Sequence, residues 1–246
     1  MSIRLNKFLA NAGLGSRRKV EDLIFAGLVS INGKTISTPA TFVEEKDSVK
    51  VNNKLIRQEN KIYFILNKPK KFLCSATRKI NEKLVIDLFA NYKEKLFTVG
   101  RLDKDTTGLL IVTNDGDLSN KIIHPSANIE KEYIAKTKED ITSDHLIKIS
   151  KGAFIENRYV KPKKVFKVRK GTVKIIVKEG KKREVKQFIM KADLTLVDLK
   201  RVRIGNLLLG NLRDGEYKEV LKKDLECIFE KNKVISVENK NFIKKI

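Results

Sequence analysis

Residues 100–116 have the sequence Gly-Arg-Leu-Asp-Lys-Asp-Thr-Thr-Gly-Leu-Leu-Ile-Val-Thr-Asn-Asp-Gly. The apolar run 109–112 directly follows a Thr-Thr-Gly turn and predicts a buried strand. Asp103 precedes that turn, so the strand would hold its carboxylate rigidly at an edge of the core. A carboxylate in this position can take part in chemistry. Taken alone, an aspartate next to Lys104 and Asp105 is more commonly a solvated loop residue.

The sequence on both sides of this stretch alternates strand patterns with helix patterns. Strands are predicted at residues 62–66, 96–99, 109–113, 132–137, 165–168 and 173–177, and helices at 117–123, 144–150, 183–191 and 222–230. Apolar and polar side chains largely alternate along 172–178, as expected for a half-exposed antiparallel strand. The predicted fold class is therefore α+β, with a larger domain built on a mainly antiparallel sheet with flanking helices.

The first 60 residues predict a separate, smaller domain. Leu5, Phe8, Leu9 and Ala12 share one helical face, and Gly13 is suited to ending that helix. Ser16 is placed to cap a second helix that stops near Gly27. Asn32-Gly33 between two short apolar runs predicts a tight β-hairpin. Two helices and a hairpin are the expected content of this domain.

Arg17, Arg18 and Lys19 open the second predicted helix, where cations and free backbone amides together favour phosphate binding. The polar stretch 52–61 is predicted to be the linker to the larger domain. The predicted domain limits are 1–58 for the small domain, 61–231 for the larger domain and 232–246 for a basic tail.

The chain is strongly basic. Its 53 Lys and Arg residues outnumber its 30 Asp and Glu residues, for a net charge of +23. Between Lys161 and Lys186, twelve cationic residues stand against Glu179 and Glu184, a net charge of +10. Nucleic acid is the first candidate partner for such a surface, although lysine can also serve only as a solvated surface residue.

Other features of the sequence argue against several classes of protein. Cys74 and Cys227 cannot form a disulfide scaffold, and they do not stand at metal-binding spacing from either histidine. No apolar run approaches the ~18 residues of a membrane span, and the N-terminus lacks the apolar core of a signal peptide. We therefore expect a cytoplasmic protein with no metal site and no membrane partner.

Three segments carry a resemblance to a known family. The run 100–116, Lys131-Glu132-Tyr133, and Glu179-Gly180-Lys-Lys-Arg-Glu-Val occur in the order found in RNA pseudouridine synthases, specifically the branch that acts on single uridines of ribosomal RNA. The basic segment 199–205 resembles the C-terminal signature of the same branch. Residues 1–58 resemble the S4-like RNA-binding domain.

The resemblance implies a cofactor-free isomerisation of uridine to pseudouridine. Asp103 matches the catalytic aspartate, and Tyr133 matches the tyrosine that packs on the uracil and is a suspected proton acceptor. Lys186 takes the place of a basic residue, commonly arginine, that would pair with Asp103. As a lysine it offers a point charge instead of a forked guanidinium. Among the cations, Arg101 matches the residue that helps flip the base, while Arg183, Arg17, Arg18 and Lys19 are expected to bind RNA.

The expected partner is ribosomal RNA or a pre-ribosomal particle, with the large subunit preferred over the small subunit, and the expected state is a monomer. A non-catalytic, ribosome-associated RNA-binding protein is the main alternative. Asp103-x-Asp105-x-Thr107-Gly108 also mimics the start of a calcium-binding loop, but its twelfth position is Asn114 instead of glutamate. A glycosidase using Asp103 and Asp105 as paired carboxylates is a further alternative.

Overall fold

The computed structural model describes residues 2–230 and the backbone of residues 243–244. The chain divides into two compact units. The N-terminal unit comprises Met1–Lys61 with Asn91–Leu96 and Asn114–Gly116, and the C-terminal unit comprises Ile62–Ala90, Phe97–Thr113 and Asp117–Ile246.

The N-terminal unit packs two helices on short strands. Its elements are β1 (Ile3–Arg4), α1 (Leu5–Asn11), α2 (Arg17–Phe25), β2 (Val29–Ile31), β3 (Lys34–Thr35), β4 (Phe42–Val43), β5 (Val49–Val51) and β6 (Lys54–Leu55). The Ser16 hydroxyl accepts a hydrogen bond from the Lys19 amide at 3.2 Å, which confirms the predicted cap of α2. Asn32 and Gly33 both have positive φ and connect β2 to β3, which confirms the predicted hairpin.

The prediction of a linker from residue 52 onward is wrong at its beginning. Lys54–Leu55 form β6, which pairs with β5 and extends the sheet to the order β3-β2-β5-β6. Asn52 and Asn53 both adopt positive φ, a conformation that asparagine tolerates better than most residues, and together they form a tight hairpin turn.

The described part of the C-terminal unit is organised around a ten-stranded sheet. The strands and helices of this unit are β7 (Tyr63–Lys68), β8 (Phe72–Leu73), β9 (Lys83–Leu84), β10 (Phe97–Val99), β11 (Thr107–Thr113), α3 (Gly116–Ile123), β12 (Lys131–Thr137), α4 (Ser143–Lys151), β13 (Ala153–Ile155), β14 (Arg158–Val160), β15 (Lys164–Arg169), β16 (Thr172–Val177), α5 (Glu184–Lys191), β17 (Leu196–Ile204), β18 (Leu207–Leu208), β19 (Tyr217–Val220), α6 (Lys222–Leu225) and β20 (Ile243–Lys244). Helical 3₁₀ turns are formed by Val85–Phe89, Pro125–Ala127 and Glu226–Phe229.

The strand order is β15-β16-β12-β17-β11-β7-β19-β20, with β10 on β11 and β18 on β17. The β11–β17 pairing is parallel and the other pairings of this sheet are antiparallel, so the predicted α+β class with a mainly antiparallel sheet is confirmed. All seven residues of β11 are buried. The strand therefore lies in the core on both faces, which explains its nearly continuous apolar sequence.

The C-terminal elements differ from the prediction. The helix expected at 222–230 ends at Leu225 and continues as a 3₁₀ turn, in which the Glu230 amide donates to the Cys227 carbonyl three residues earlier. The predicted basic tail, 232–246, lies outside the described residues apart from Ile243–Lys244, whose backbone pairs with β19.

Among the residues that the structure describes, no helix combines the length and apolar character needed to cross a lipid bilayer.

Candidate active site

The turn before β11 presents Asp103 at the edge of the sheet. The Thr106 amide donates to the Asp103 carbonyl at 3.1 Å, which closes a β-turn that leads directly into the strand. Gly108, with φ +107°, lies against β17 so closely that a Cβ atom there would stand 2.2 Å from the Arg201 carbonyl oxygen. Glycine is therefore needed for the parallel pairing that fixes the beginning of β11 and the turn before it.

Lys68, the last residue of β7, lies beneath this turn. Its side chain is fully buried, and its ammonium donates to the carbonyl oxygens of Pro69 at 2.9 Å and Thr106 at 3.0 Å, with a longer bond to Lys104 at 3.4 Å. Burial lowers the pKa of Lys68, while the negative charges of Asp105 and Asp103 partly oppose that effect. Lys68 thus ties the backbone of the Asp103 turn to the core.

Lys186, in the first turn of α5, pairs with both aspartates of the turn. Its Nζ lies 2.8 Å from Oδ2 of Asp103 and 2.5 Å from Oδ1 of Asp105. The side chain of Lys186 is 10% exposed, that of Asp103 is 36% exposed and that of Asp105 is 70% exposed. The largely buried ammonium of Lys186 therefore pairs with a carboxylate, Asp103, that remains accessible to solvent and to a substrate.

The two carboxylates differ in their surroundings as well as in their exposure. For Asp105, partial burial would raise the pKa, but the hydrogen bond and charge of Lys186 outweigh that effect and hold the pKa below its ordinary value. The ammonium of Lys186 bridges the two carboxylates, where a calcium ion would have to bind, so this arrangement does not fit the calcium-loop alternative. No group of three or more potential metal-binding side chains occurs in the part of the chain that the structure describes.

Tyr133 lies on β12 and is buried. Burial raises the pKa of its phenol, while the positive charge of Arg201, its register partner on β17, opposes that effect. The negative charges of Glu184 and Asp103 also act on this phenol and raise its pKa further. The Tyr133 hydroxyl is therefore protonated at neutral pH and shares its surroundings with the candidate catalytic carboxylate.

Two further buried charged residues lie near Tyr133. Arg201 on β17 donates from Nε to the Leu109 carbonyl at 2.8 Å, and its Nη2 has no hydrogen-bond partner among the described residues. Glu184, the first residue of α5, has a buried Oε2 that likewise lacks a described partner. Burial raises the pKa of Glu184 to about 7, opposed in part by Lys131.

The structure brings together some of the residues singled out in the sequence. Asp103 and Lys186 are in contact, and Tyr133 lies within electrostatic reach of Asp103. Arg183 is the N-cap residue of α5 and has a left-handed backbone conformation. Its positive charge helps to lower the pKa of Asp105. Arg101 is exposed. Arg17, Arg18 and Lys19 are exposed in the first turn of α2, in the N-terminal unit.

Three residues of this site were not assigned a role from the sequence: Lys68, Glu184 and Arg201. Asp105 was considered only as a calcium ligand or as a second catalytic carboxylate, and not as a partner of Lys186. Lys68 stands in Asn67-Lys68-Pro69, where proline signalled the end of the strand but nothing indicated a buried ammonium. Arg201 lies in a strand segment that mixes Lys and Arg with apolar residues, and this composition does not indicate which cation faces the core.

Comparison with known proteins identifies the family. The family model of RNA pseudouridylate synthases matches residues 62–191, and that of the S4 domain matches residues 3–49. Ribosomal large subunit pseudouridine synthase B of Bacillus subtilis is 33% identical over 227 residues, which cover 91% of this chain and 95% of the relative. A crystal structure of a pseudouridylate synthase superimposes with a TM-score of 0.66 at 29% identity, covering 92% of this chain and 99% of the other.

A putative chloroplast ribosomal large subunit pseudouridine synthase of Arabidopsis thaliana is 40% identical over 251 residues. The match covers 93% of this chain and 61% of that longer relative. The matching family model spans more than half of the chain, and the Bacillus relative is matched over nearly its whole length. This chain belongs to the RNA pseudouridine synthase family, whose members are isomerases, and it carries an N-terminal S4 RNA-binding domain.

Proposed function

We propose that this protein converts specific uridines of ribosomal RNA to pseudouridine, with Asp103 as the catalytic carboxylate. The observation that supports this assignment most strongly is the 2.8 Å contact between Lys186 Nζ and Asp103 Oδ2, in the turn that leads into the buried strand β11. An ammonium held in place by the protein stabilises a carboxylate that must act while negatively charged.

The reaction breaks the N1–C1′ glycosidic bond, turns the uracil over and joins its C5 to C1′. The anomeric carbon becomes electron-poor as the bond breaks, so a nearby carboxylate can attack C1′ or remove a proton from C2′. The C5 proton then passes to a base and N1 gains a proton, so the reaction is an isomerisation that needs no cofactor. Asp103 has the exposure that either role requires.

Tyr133 and the surrounding cations are assigned to binding the target nucleotide. The phenol ring of Tyr133 packs against the uracil, with the positive charge of Arg201 near its hydroxyl. A uridine within folded RNA must leave its stack before the glycosidic bond can be reached, and Arg101 and Arg183 are the candidates to hold the phosphates of the flipped nucleotide.

We assign RNA recognition to residues 1–58, through Arg17, Arg18 and Lys19, isomerisation to residues 61–231 and nonspecific electrostatic attraction to the basic tail 232–246. The chloroplast and Bacillus relatives are both named as large subunit pseudouridine synthases, and we propose the same substrate class here, as free RNA or as a pre-ribosomal particle. We further propose that the protein acts as a monomer in the cytoplasm.

Mapping pseudouridines in the ribosomal RNA of cells that have or lack the gene tests this proposal. We expect at least one large-subunit pseudouridine to disappear on deletion, to return with the unaltered gene and to remain absent with an Asp103→Asn variant expressed at the same level. A ribosomal RNA map identical in all strains would contradict the proposal. If the purified protein still bound ribosomal RNA in that case, the non-catalytic alternative would replace it.

A further inference from the structure

The hairpin formed by β13 and β14 exposes two aromatic side chains next to each other. Phe154 is 68% exposed and Tyr159 is 51% exposed. The two residues are directly opposite each other in the strand register, with ring centroids 5.3 Å apart and an interplanar angle of 56°. Exposing adjacent aromatic rings to water is unfavourable, so a surface of this kind commonly indicates a binding site.

The hairpin is firmly held, so the rings have a defined position. Ala153, Ile155 and Val160 alternate with the exposed rings and are buried. The Tyr159 hydroxyl donates to the carbonyl of Lys151, the last residue of α4, at 2.5 Å. A fixed pair of rings loses little conformational entropy when a ligand binds.

Charge around the rings favours an anionic partner. The ammonium of Lys161 lies 5.5 Å from the centroid of the Tyr159 ring, and Arg158 at the start of β14 is exposed. Lys161 is also the first residue of the basic segment that runs to Lys186. Aromatic rings interspersed with cations are the combination that binds unpaired nucleotides, through base stacking and phosphate attraction.

The hairpin contacts the helix that carries Lys186. Strand β13 packs against α5, and the first turn of that helix carries Lys186. A nucleotide strand that delivers a uridine to Asp103 would therefore have the aromatic pair available for neighbouring residues of the same strand.

We propose that Phe154 and Tyr159 form a stacking platform for unpaired nucleotides that flank the target uridine. This inference rests on the proposed function, because it takes RNA as the substrate. The platform contributes to substrate affinity and does not touch the reacting atoms.

Binding of the full-length protein to a ribosomal RNA stem-loop with unpaired flanking nucleotides tests the proposal. Phe154→Ala and Tyr159→Ala are each expected to weaken binding roughly tenfold, because base–aromatic stacking contributes substantially per base. Phe154→Leu should lose nearly as much, since leucine keeps apolar bulk without an aromatic face. The single-turnover rate at saturating RNA should stay within about twofold of wild type, because the platform does not contact the reacting atoms.

Three control variants keep the test specific. Phe154→Trp and Tyr159→Phe should bind like the wild type, because both retain the ring, and Tyr159→Phe removes only the hydrogen bond to Lys151. Leu221→Ala removes an equally exposed apolar side chain, 61% exposed, outside the hairpin and should have no effect. Thermal melting of every variant checks that the fold is retained.

Wild-type affinity in the Phe154→Ala and Tyr159→Ala variants would overturn the inference and assign the patch to a protein partner instead. Wild-type affinity in Phe154→Leu would also overturn it, because apolar contact and not stacking would then be sufficient. A wild-type protein that binds the stem-loop but forms no pseudouridine in it would count against the proposed function. The binding comparison would still decide whether the platform exists.

Discussion

The ammonium of Lys186, on helix α5, lies 2.8 Å from the carboxylate of Asp103, in the turn before β11. Two elements distant in sequence therefore converge on one ion pair. Because the lysine is largely shielded and the aspartate is about one third exposed, the pair combines a fixed positive charge with an accessible negative one.

Replacing Lys186 tests the importance of that charge. Lys186→Met is expected to slow single-turnover pseudouridine formation by about 10²-fold or more, because the Asp103 carboxylate loses its electrostatic partner. Lys186→Arg should retain most of the rate, since a guanidinium can also bridge two carboxylates. Lys191→Met, at the exposed end of the same helix, is the matched control. A Lys186→Met enzyme as fast as the control would show that the ion pair has no role in the reaction.

Gly108 provides a test of the strand pairing that supports the site. Gly108→Ala would place a Cβ atom 2.2 Å from the Arg201 carbonyl oxygen in a backbone conformation of φ +107°. We expect a loss of at least about 2 kcal/mol in the free energy of unfolding, measured by urea denaturation. Gly116→Ala should change it by less than about 1 kcal/mol, because nothing lies within 4 Å of a Cβ atom there. Equal stabilities of the two variants would refute the close approach of β11 and β17.

Glu184 makes stability depend on pH. Burial raises its pKa in the folded protein to about 7, whereas the unfolded value is near 4.5. The folded state therefore binds the proton more tightly, and this residue's contribution to stability falls as the pH rises from about 4.5 to 7. Lys131, Lys181 and Glu179 are the charged groups that modify this shift. Tyr133 is also close to Glu184, and Arg201 is close to Tyr133 and Lys131.

Glu184→Gln should remove this dependence. We expect the variant to match the wild type near pH 4 and to exceed it above pH 7 by an amount on the order of 3 kcal/mol at most. Urea denaturation across this pH range measures the difference, with the exposed Glu219→Gln, whose charge does not act on Glu184, as control. A difference between Glu184→Gln and wild type that does not change with pH would show that Glu184 titrates normally in the folded state.

Local sequence patterns predicted much of the fold. The apolar run after Asp103 predicted β11, Ser16 predicted the cap of α2, and Asn32-Gly33 predicted the first hairpin, because each signal acts within a few residues. The Asn52–Asn53 turn was missed because asparagine pairs also occur in linkers, and only the pairing of β6 with β5 distinguishes the two.

Tertiary contacts limited what could be predicted of the candidate site. The pairing of Asp103 with Lys186 was inferred from family resemblance, since no local pattern fixes which lysine of α5 reaches the turn. The burial of Lys68, Glu184 and Arg201 depends on how β7, α5 and β17 pack, and charged residues are seldom expected in the core. From the sequence, Asp105 was considered only as a calcium ligand or as a second catalytic carboxylate. Its ion pair with Lys186, which also contacts Asp103, depends on how α5 packs against the turn.

Asp103→Asn and Asp105→Asn form a matched pair, because both carboxylates contact Lys186. The most direct measurement is single-turnover pseudouridine formation by each purified variant on a large-subunit ribosomal RNA fragment, with RNA affinity measured in parallel. We expect Asp103→Asn to bind RNA within about threefold of wild type and to lose at least about 10³-fold in rate, while Asp105→Asn stays within about tenfold. An Asp103→Asn enzyme that forms pseudouridine at a rate close to wild type would contradict the assignment of Asp103 as the catalytic carboxylate.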